Sequence, residues 1–226
     1  MSSVIKVTSV DYPESDGQPM GETDLHRDEM VRVIELLRGF FEGQRVYVSG
    51  DLLVYYRQGK PKKFVVPDAF VVKGLEPTPR RIYRLWIERR VPDVIVEVTS
   101  RKTKKKDTIA KPKLYRRLGV KEYFLFDPTE DYLTPPLQGH RLADDEYERI
   151  VPDAEGSLVS EELGLRLHAE QGHLMFYRLD TGQRLLTERE ARQAEAAARQ
   201  AEAAARQAAE AEVARLREEL RRRDET

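Results

Sequence analysis

Two acidic residues interrupt runs of strand-forming apolar residues. Asp68 falls between Phe64-Val65-Val66-Pro67 and Ala69-Phe70-Val71-Val72, and Glu97 sits within Val94-Ile95-Val96-Glu97-Val98. Burying an ionised carboxylate costs several kcal/mol unless it is paired, hydrogen-bonded or bound to metal. An edge-strand side chain reaching water would account for either residue alone. Together with the cationic run that follows Glu97, the pair points to two oxygen ligands for a hard divalent cation beside an anionic substrate. From Arg101 to Arg117, nine Lys and Arg accompany the single Asp107, a local net charge of +8 in 17 residues. Asp93 also precedes Glu97, but four residues along one strand separate side chains by roughly 13 Å, too far to share one ion. A neighbouring strand can set Asp68 within about 5 Å of Glu97. Asp93 is therefore assigned to strand entry.

The elements that must position these groups are legible as periodicities. Met30, Val33, Ile34, Leu37 and Phe41 recur at helical spacing, which predicts a helix over 24–42 ending at Gly43,. Arg45–Tyr56, Lys63–Lys73 and Asp93–Thr99 are rich in β-branched and aromatic residues and read as strands, the first two joined as a hairpin through Gln58–Lys62,. A helix near Pro112–Leu118, closed by Gly119, leads into the strand Glu122–Phe126, stopped by Asp127-Pro128,. Strand, helix, strand implies a parallel pair with a crossover. Asp131–Leu186 alternates short apolar runs with turns and reads as further strands or hairpins. The fold class is mixed α/β.

From Glu188 to Thr226 the composition changes. These 39 residues hold 13 Ala, 9 Arg and 10 Asp or Glu, with no Gly, Pro or aromatic residue, which predicts a long C-terminal helix. Thr187 followed by Glu190 reads as a capping box. The heptad Ala-Arg-Gln-Ala-Glu-Ala-Ala occurs at 191–197 and 198–204 and imperfectly from Ala205, with Glu195–Arg199, Glu202–Arg206 and Arg206–Glu210 as four-residue pairs,. Ala194, Ala197, Ala201, Ala204 and Ala208 form a coiled-coil seam that buries little area, continued out of phase by Val213, Leu216 and Leu220,. A solvated single helix and an oligomerisation arm both fit. The expected division is 1–187 for the body and 188–226 for the helix.

Composition excludes several classes. With 39 Lys and Arg against 40 Asp and Glu the formal net charge is -1, so bulk charge gives no sign of a nucleic-acid-binding protein,. The absence of Cys excludes disulfides, thiol catalysis, iron–sulfur ligation and Cys-type zinc sites,. No window approaches the roughly 18 apolar residues of a membrane span, and the first ten residues lack a secretory apolar region. A cytoplasmic protein without a membrane partner is expected.

Pro67-Asp68, Glu97-Val98-Thr99-Ser100, the basic loop, Lys111, the segment Leu114–Pro128, Glu22-Thr23-Asp24-Leu25-His26 and Pro135–Gly139 resemble the Uma-type restriction endonuclease family of the PD-(D/E)XK nuclease superfamily, over approximately residues 10–186. The resemblance implies a restriction-endonuclease-like fold, a central mixed sheet flanked by helices, and metal-dependent hydrolysis of DNA phosphodiester bonds. Asp68 and Glu97 would hold Mg²⁺ or Mn²⁺, helped by the Val98 carbonyl, and a lysine would position or deprotonate the attacking water. Residue 99, on the face of Glu97, is Thr rather than Lys. The resemblance assigns the lysine to Lys111 instead, with Lys113 as fallback. Pro112 disfavours helical angles at Lys111 and would put it at the helix cap. Glu22 is a candidate for water-mediated metal contact or simply an acid favoured by the helix dipole. His26 reads as a structural hydrogen-bonding residue. DNA is the implied partner, with the 101–117 run on its phosphates, and a homo-oligomer, by superfamily analogy a dimer, is expected. The alternative is a catalytically silent nuclease-fold protein serving as a DNA-binding or assembly module, to which Thr99 and Pro112 lend support.

Overall fold

The apolar stripe read at the N-terminal end of the chain forms α1 (Asp24–Phe40), whose buried residues include Val33, Leu36 and Leu37. The Thr23 hydroxyl caps it by accepting from the His26 amide at 3.3 Å,. The computed structural model describes residues 10–17, 23–100 and 103–224. The chain forms two compact units, residues 1–185 and 186–226.

In the first unit α1 is followed by β1 (Val46–Ser49), β2 (Val54–Tyr55), β3 (Phe64–Val65), β4 (Ala69–Lys73), β5 (Tyr83–Arg84) and a short α2 (Leu85–Glu88). Then come β6 (Val94–Val98), a turn of π-helix (Lys106–Ala110), α3 (Lys111–Leu118) and β7 (Glu122–Phe126). The hairpin β8 (Leu137–Ala143) and β9 (Glu146–Arg149) and the trio β10 (Leu158–Ser160), β11 (Leu165–Glu170) and β12 (His173–Arg178) complete it. The central sheet runs β1-β4-β6-β7-β8-β9. Only β6 and β7 are parallel in it, joined by the expected helical crossover through α3. The molecule is thus mixed α/β, with helices flanking a mixed sheet.

The reading of Arg45–Tyr56 and Lys63–Lys73 as two unbroken strands is corrected. Each splits in two: β1 pairs with β4 in the central sheet, while β2 pairs with β3 in a separate three-stranded sheet, β3-β2-β5. The break falls at Gly50 on one side and Pro67-Asp68 on the other. Proline has no N–H to donate to a ladder, and the Asp51 amide donates to the Pro67 carbonyl at 2.9 Å, closing the excursion. Gly50 is required there, since a Cβ would lie 1.9 Å from the Asp68 carbonyl oxygen.

Strand alternation divides the core between the two faces of the central sheet. Val46, Val48, Val71, Val94, Val96, Phe124 and Phe126 pack with α1 and the β10–β12 sheet. Tyr47, Phe70, Val72, Ile95, Tyr123 and Leu125 pack with Val54, Val65, Tyr83 and Tyr115, that is, with the small sheet and α3. Glu97 shares the parity of Ile95 and therefore points to the α3 side.

In the second unit α4 spans Glu188–Asp224. The Glu190 amide donates to the Thr187 hydroxyl and the Thr187 amide to the Glu190 carboxylate, the reciprocal capping box expected,. Glu195 pairs with Arg199, and Arg206 pairs forward with Glu210. Val213, Leu216 and Leu220 are exposed. No helix among the described residues is long and apolar enough to cross a membrane.

Candidate active site

Backbone register brings the two carboxylates together. Ala69 pairs with Val96 and Phe70 with Ile95 in antiparallel β4 and β6, and continuing that register sets Asp68 opposite Glu97. The contact is direct: the Asp68 amide donates to Glu97 Oε2 at 3.3 Å, and the Val98 amide donates to Asp68 Oδ2 at 2.8 Å. Asp68 keeps 17% of its side chain exposed, whereas Glu97 is fully buried.

The lysine comes from the crossover helix. Lys111 Nζ lies 2.7 Å from Glu97 Oε2 and 2.9 Å from Asp107 Oδ1. The expectation that Pro112 would hold Lys111 at a cap is overturned, because Lys111 has helical angles (φ -63, ψ -46) and its amide donates to the Lys106 carbonyl, closing the π turn. A proline in a helix crowds the carbonyl four residues back and has no N–H to offer it. The wide turn immediately before Pro112 opens the backbone at that point, so the helix passes through the proline instead of starting at it. π turns of this kind recur at functional sites.

Sequence reasoning missed the roles of four supporting residues. Tyr115 donates its hydroxyl to Glu97 Oε1 at 2.7 Å, and Thr99 donates to Asp107 Oδ2 at 3.2 Å. The Tyr123 hydroxyl donates to the Asp107 carbonyl at 2.7 Å. Asp107, Lys111 and Tyr115 stand four residues apart, a helical face that the chain itself displays. Asp107 is fully buried, whereas in the sequence it had figured only as the one acid in a basic run.

The other candidates separate clearly. Asp93 accepts from the Lys73 amide at 2.7 Å and pairs with Lys121 at 2.8 Å, tying the entry of β6 to its neighbours and staying out of the cluster. Lys113 is exposed on α3, and among the described residues it has no ion pair with the carboxylates. His26 is buried in the first turn of α1 with Nε2 3.6 Å from Asp68 Oδ1. Glu22 lies outside the described residues, as do Arg101 and Lys102.

The electrostatics follow from this packing. Burial works to raise the Asp68 pKa, but His26, Lys111 and the Val98 amide outweigh it and hold the carboxyl below its ordinary range. Burial dominates at Glu97, with Asp68 and Asp107 adding to it against Lys111, and raises its pKa well above the usual value. Burial opposes the Lys111 charge, yet Glu97, Asp107 and Asp68 together raise its pKa, so it is an ammonium at neutral pH. Burial followed by Glu97 raises Tyr115, which stays a donor.

The Uma2 family model, described as "Putative restriction endonuclease", matches residues 8–172, more than half of the chain. The chain belongs to the Uma2 family. A solved chain described as a "putative nuclease belonging to DUF820 from Anabaena variabilis" is similar to this Uma2 protein over 70% of its length and 80% of that chain, at 15% identity and a TM-score of 0.46. No curated protein matches it.

Whether this Uma2 site fits a metal is decided by its donors. Glu97 and Asp107 contact the Lys111 ammonium and Asp68 adjoins Glu97, and carboxylate oxygens are the donor type that a hard divalent cation takes. No group of three or more His, Cys, Asp or Glu that could hold a metal occurs among the described residues, so a closed all-protein cage does not fit. Mg²⁺ keeps several waters and binds through one or two carboxylates plus substrate phosphate. Asp68, part-exposed, and Glu97 beside it fit an ion of that kind.

Proposed function

We propose that this Uma2 protein is a divalent-metal-dependent endonuclease hydrolysing DNA phosphodiester bonds, with Asp68 and Glu97 as metal ligands and Lys111 as the catalytic cation. The reading rests on one observation above the others. Three residues meet at hydrogen-bond distance, one from β6, one from α3 and one just before β4: Lys111 lies 2.7 Å from Glu97, and the Asp68 backbone amide reaches the same carboxylate at 3.3 Å. Family membership supports nuclease chemistry. Exposed Lys104, Lys105 and Lys106, on the segment leading to Lys111, support a polyanionic substrate,.

When bound, a divalent ion would supply Lewis acidity, acidifying a water and offsetting charge on the transferring phosphoryl group. The rest belongs to the chain. Asp68 stays ionised and part-exposed, ready to ligate. Tyr115 fixes Glu97 through Oε1, leaving Oε2 to Lys111 and the Asp68 amide. Lys111 is a cation at neutral pH, so its role is to orient water and stabilise anionic charge, and proton abstraction by its neutral amine does not fit. Asp107, held by Thr99, keeps the ammonium aimed at Glu97.

Nicking of supercoiled plasmid with Mg²⁺ or Mn²⁺ tests this reading. Asp68→Ala, Glu97→Ala and Lys111→Ala should each lose about a hundredfold or more of the wild-type rate. Binding of DNA with no cleavage above the variants in either metal would leave the assembly-module alternative instead.

A further inference from the structure

The turn that joins β2 to β3 carries a charge that the fold does not use. Residues 57–63, Arg57-Gln58-Gly59-Lys60-Pro61-Lys62-Lys63, hold four cations and no acid, and all four cations are exposed. Several basic side chains elsewhere in the same unit have carboxylate partners, as in Arg45–Glu76, Arg80–Glu88, Lys73–Glu162 and Lys121–Asp93. Arg57, Lys60, Lys62 and Lys63 have none among the described residues.

This turn is also built to hold its shape. The Lys60 amide donates to the Arg57 carbonyl, the Lys63 amide to the Lys60 carbonyl and the Tyr56 amide to the Lys63 carbonyl, giving two linked turns closed at the neck. The Gly59 amide donates to the Tyr12 hydroxyl, and the Tyr12 ring packs edge-on against Tyr55 and tilted against Trp86. Four unneutralised cations on a pinned turn have little backbone entropy left to lose when they meet a polyanion.

Position completes the argument. Lys63 precedes Asp68 by five residues, so their Cα atoms are at most about 18 Å apart. One strand of a duplex presents a phosphate per about 3.4 Å of axis and covers that span in about five base pairs. The structure therefore assigns to the 57–63 turn, given the nuclease reading above, a second contact with the DNA phosphate backbone, its Lys63 end within about five base pairs of the scissile bond. Phosphate contacts position a duplex without reading its sequence, so this surface sets affinity and alignment.

The test is equilibrium binding of a short duplex of arbitrary sequence, in chelator, as a function of salt. Without divalent metal the readout is independent of cleavage. Replacing Lys60, Lys62 and Lys63 with Gln should flatten the slope of log affinity against log salt by about two to three, and replacing the same three with Arg should restore it. Wild-type slope in the Gln variant, or failure of the Arg variant to restore a lost slope, overturns the contact. A companion variant with Gln at Lys104, Lys105 and Lys106 separates the two readings. If its slope falls while the 57–63 variant keeps the wild-type slope, the turn is not a contact and the nuclease reading stands. Wild-type protein without salt-dependent binding overturns both.

Discussion

Lys111 is the residue on which the charge balance of the site turns. Its ammonium accompanies a fully buried Glu97 whose pKa burial raises well above normal, even with the lysine in place. Removing one partner of a buried pair costs about 3–5 kcal/mol, because the remaining charge has no compensation. Lys111→Met should therefore destabilise the protein by about that amount at neutral pH. The sign of the pH dependence follows from Glu97. An acid with a raised folded-state pKa subtracts from stability at any pH above its unfolded-state pKa, most fully above the folded-state pKa, and stops doing so only as pH falls to the unfolded-state value. The deficit of the variant should shrink as pH falls from neutral toward the ordinary carboxylate range, about 4. Denaturant titrations of both proteins at several pH values check this, and a deficit that does not vary with pH would contradict it. Asp68 and Glu97 were legible in the sequence because carboxylates are conspicuous among strand apolars. Lys111 was not legible from spacing, since its reach to Glu97 depends on a π turn that no periodicity announces, and only the family resemblance singled it out. The replacement of lysine by Thr99 looked like a loss, but the hydroxyl has a different task, holding Asp107.

Among the elements, the broken strand pair matters most. Gly50 lets the chain pass against the Asp68 carbonyl as it leaves the central sheet, and a Cβ there would also lie 2.6 Å from Ile34 Cδ1. Gly50→Ala forces the backbone that carries Asp68 to shift, at a cost of about 1–3 kcal/mol. Its nicking activity should fall further than its melting temperature explains, and parallel melts and nicking rates show whether it does. The break was written in the sequence as a glycine in one strand and a proline in the other. Both were read through because the apolar residues on either side keep strand character, and pattern alone does not say that one run serves two sheets. The helix α1 and the strands β6 and β7 were fully legible, since each is a single uninterrupted period, whereas the crossover between them was legible as a helix but not in its π turn. The three-stranded β10–β12 sheet was legible only as strand content, because nothing local states which face of the central sheet it covers.

For the whole molecule, two units of different character share one chain. We propose residues 1–187 as the endonuclease-like domain and 188–226 as an appended assembly helix. The exposed line of Val213, Leu216 and Leu220 on α4, together with the alanine heptads, supports self-association. Deleting residues 188–226 should then lower the mass found by light scattering, and an unchanged mass would make α4 a solitary helix. The net charge of -1 conceals this division, because a balanced helix and a balanced body average out a turn and a helix that are both strongly basic. The cross-strand register of β4 and β6 has a broader consequence. Asp68 and Glu97 are neighbours because backbone hydrogen bonds hold adjacent strands about 4.8 Å apart, a spacing that no particular side chain sets. The ladder acts as a ruler, and the apolar residues on either side of it can drift over evolutionary time, provided the sheet still forms, without changing the distance between the two carboxylates.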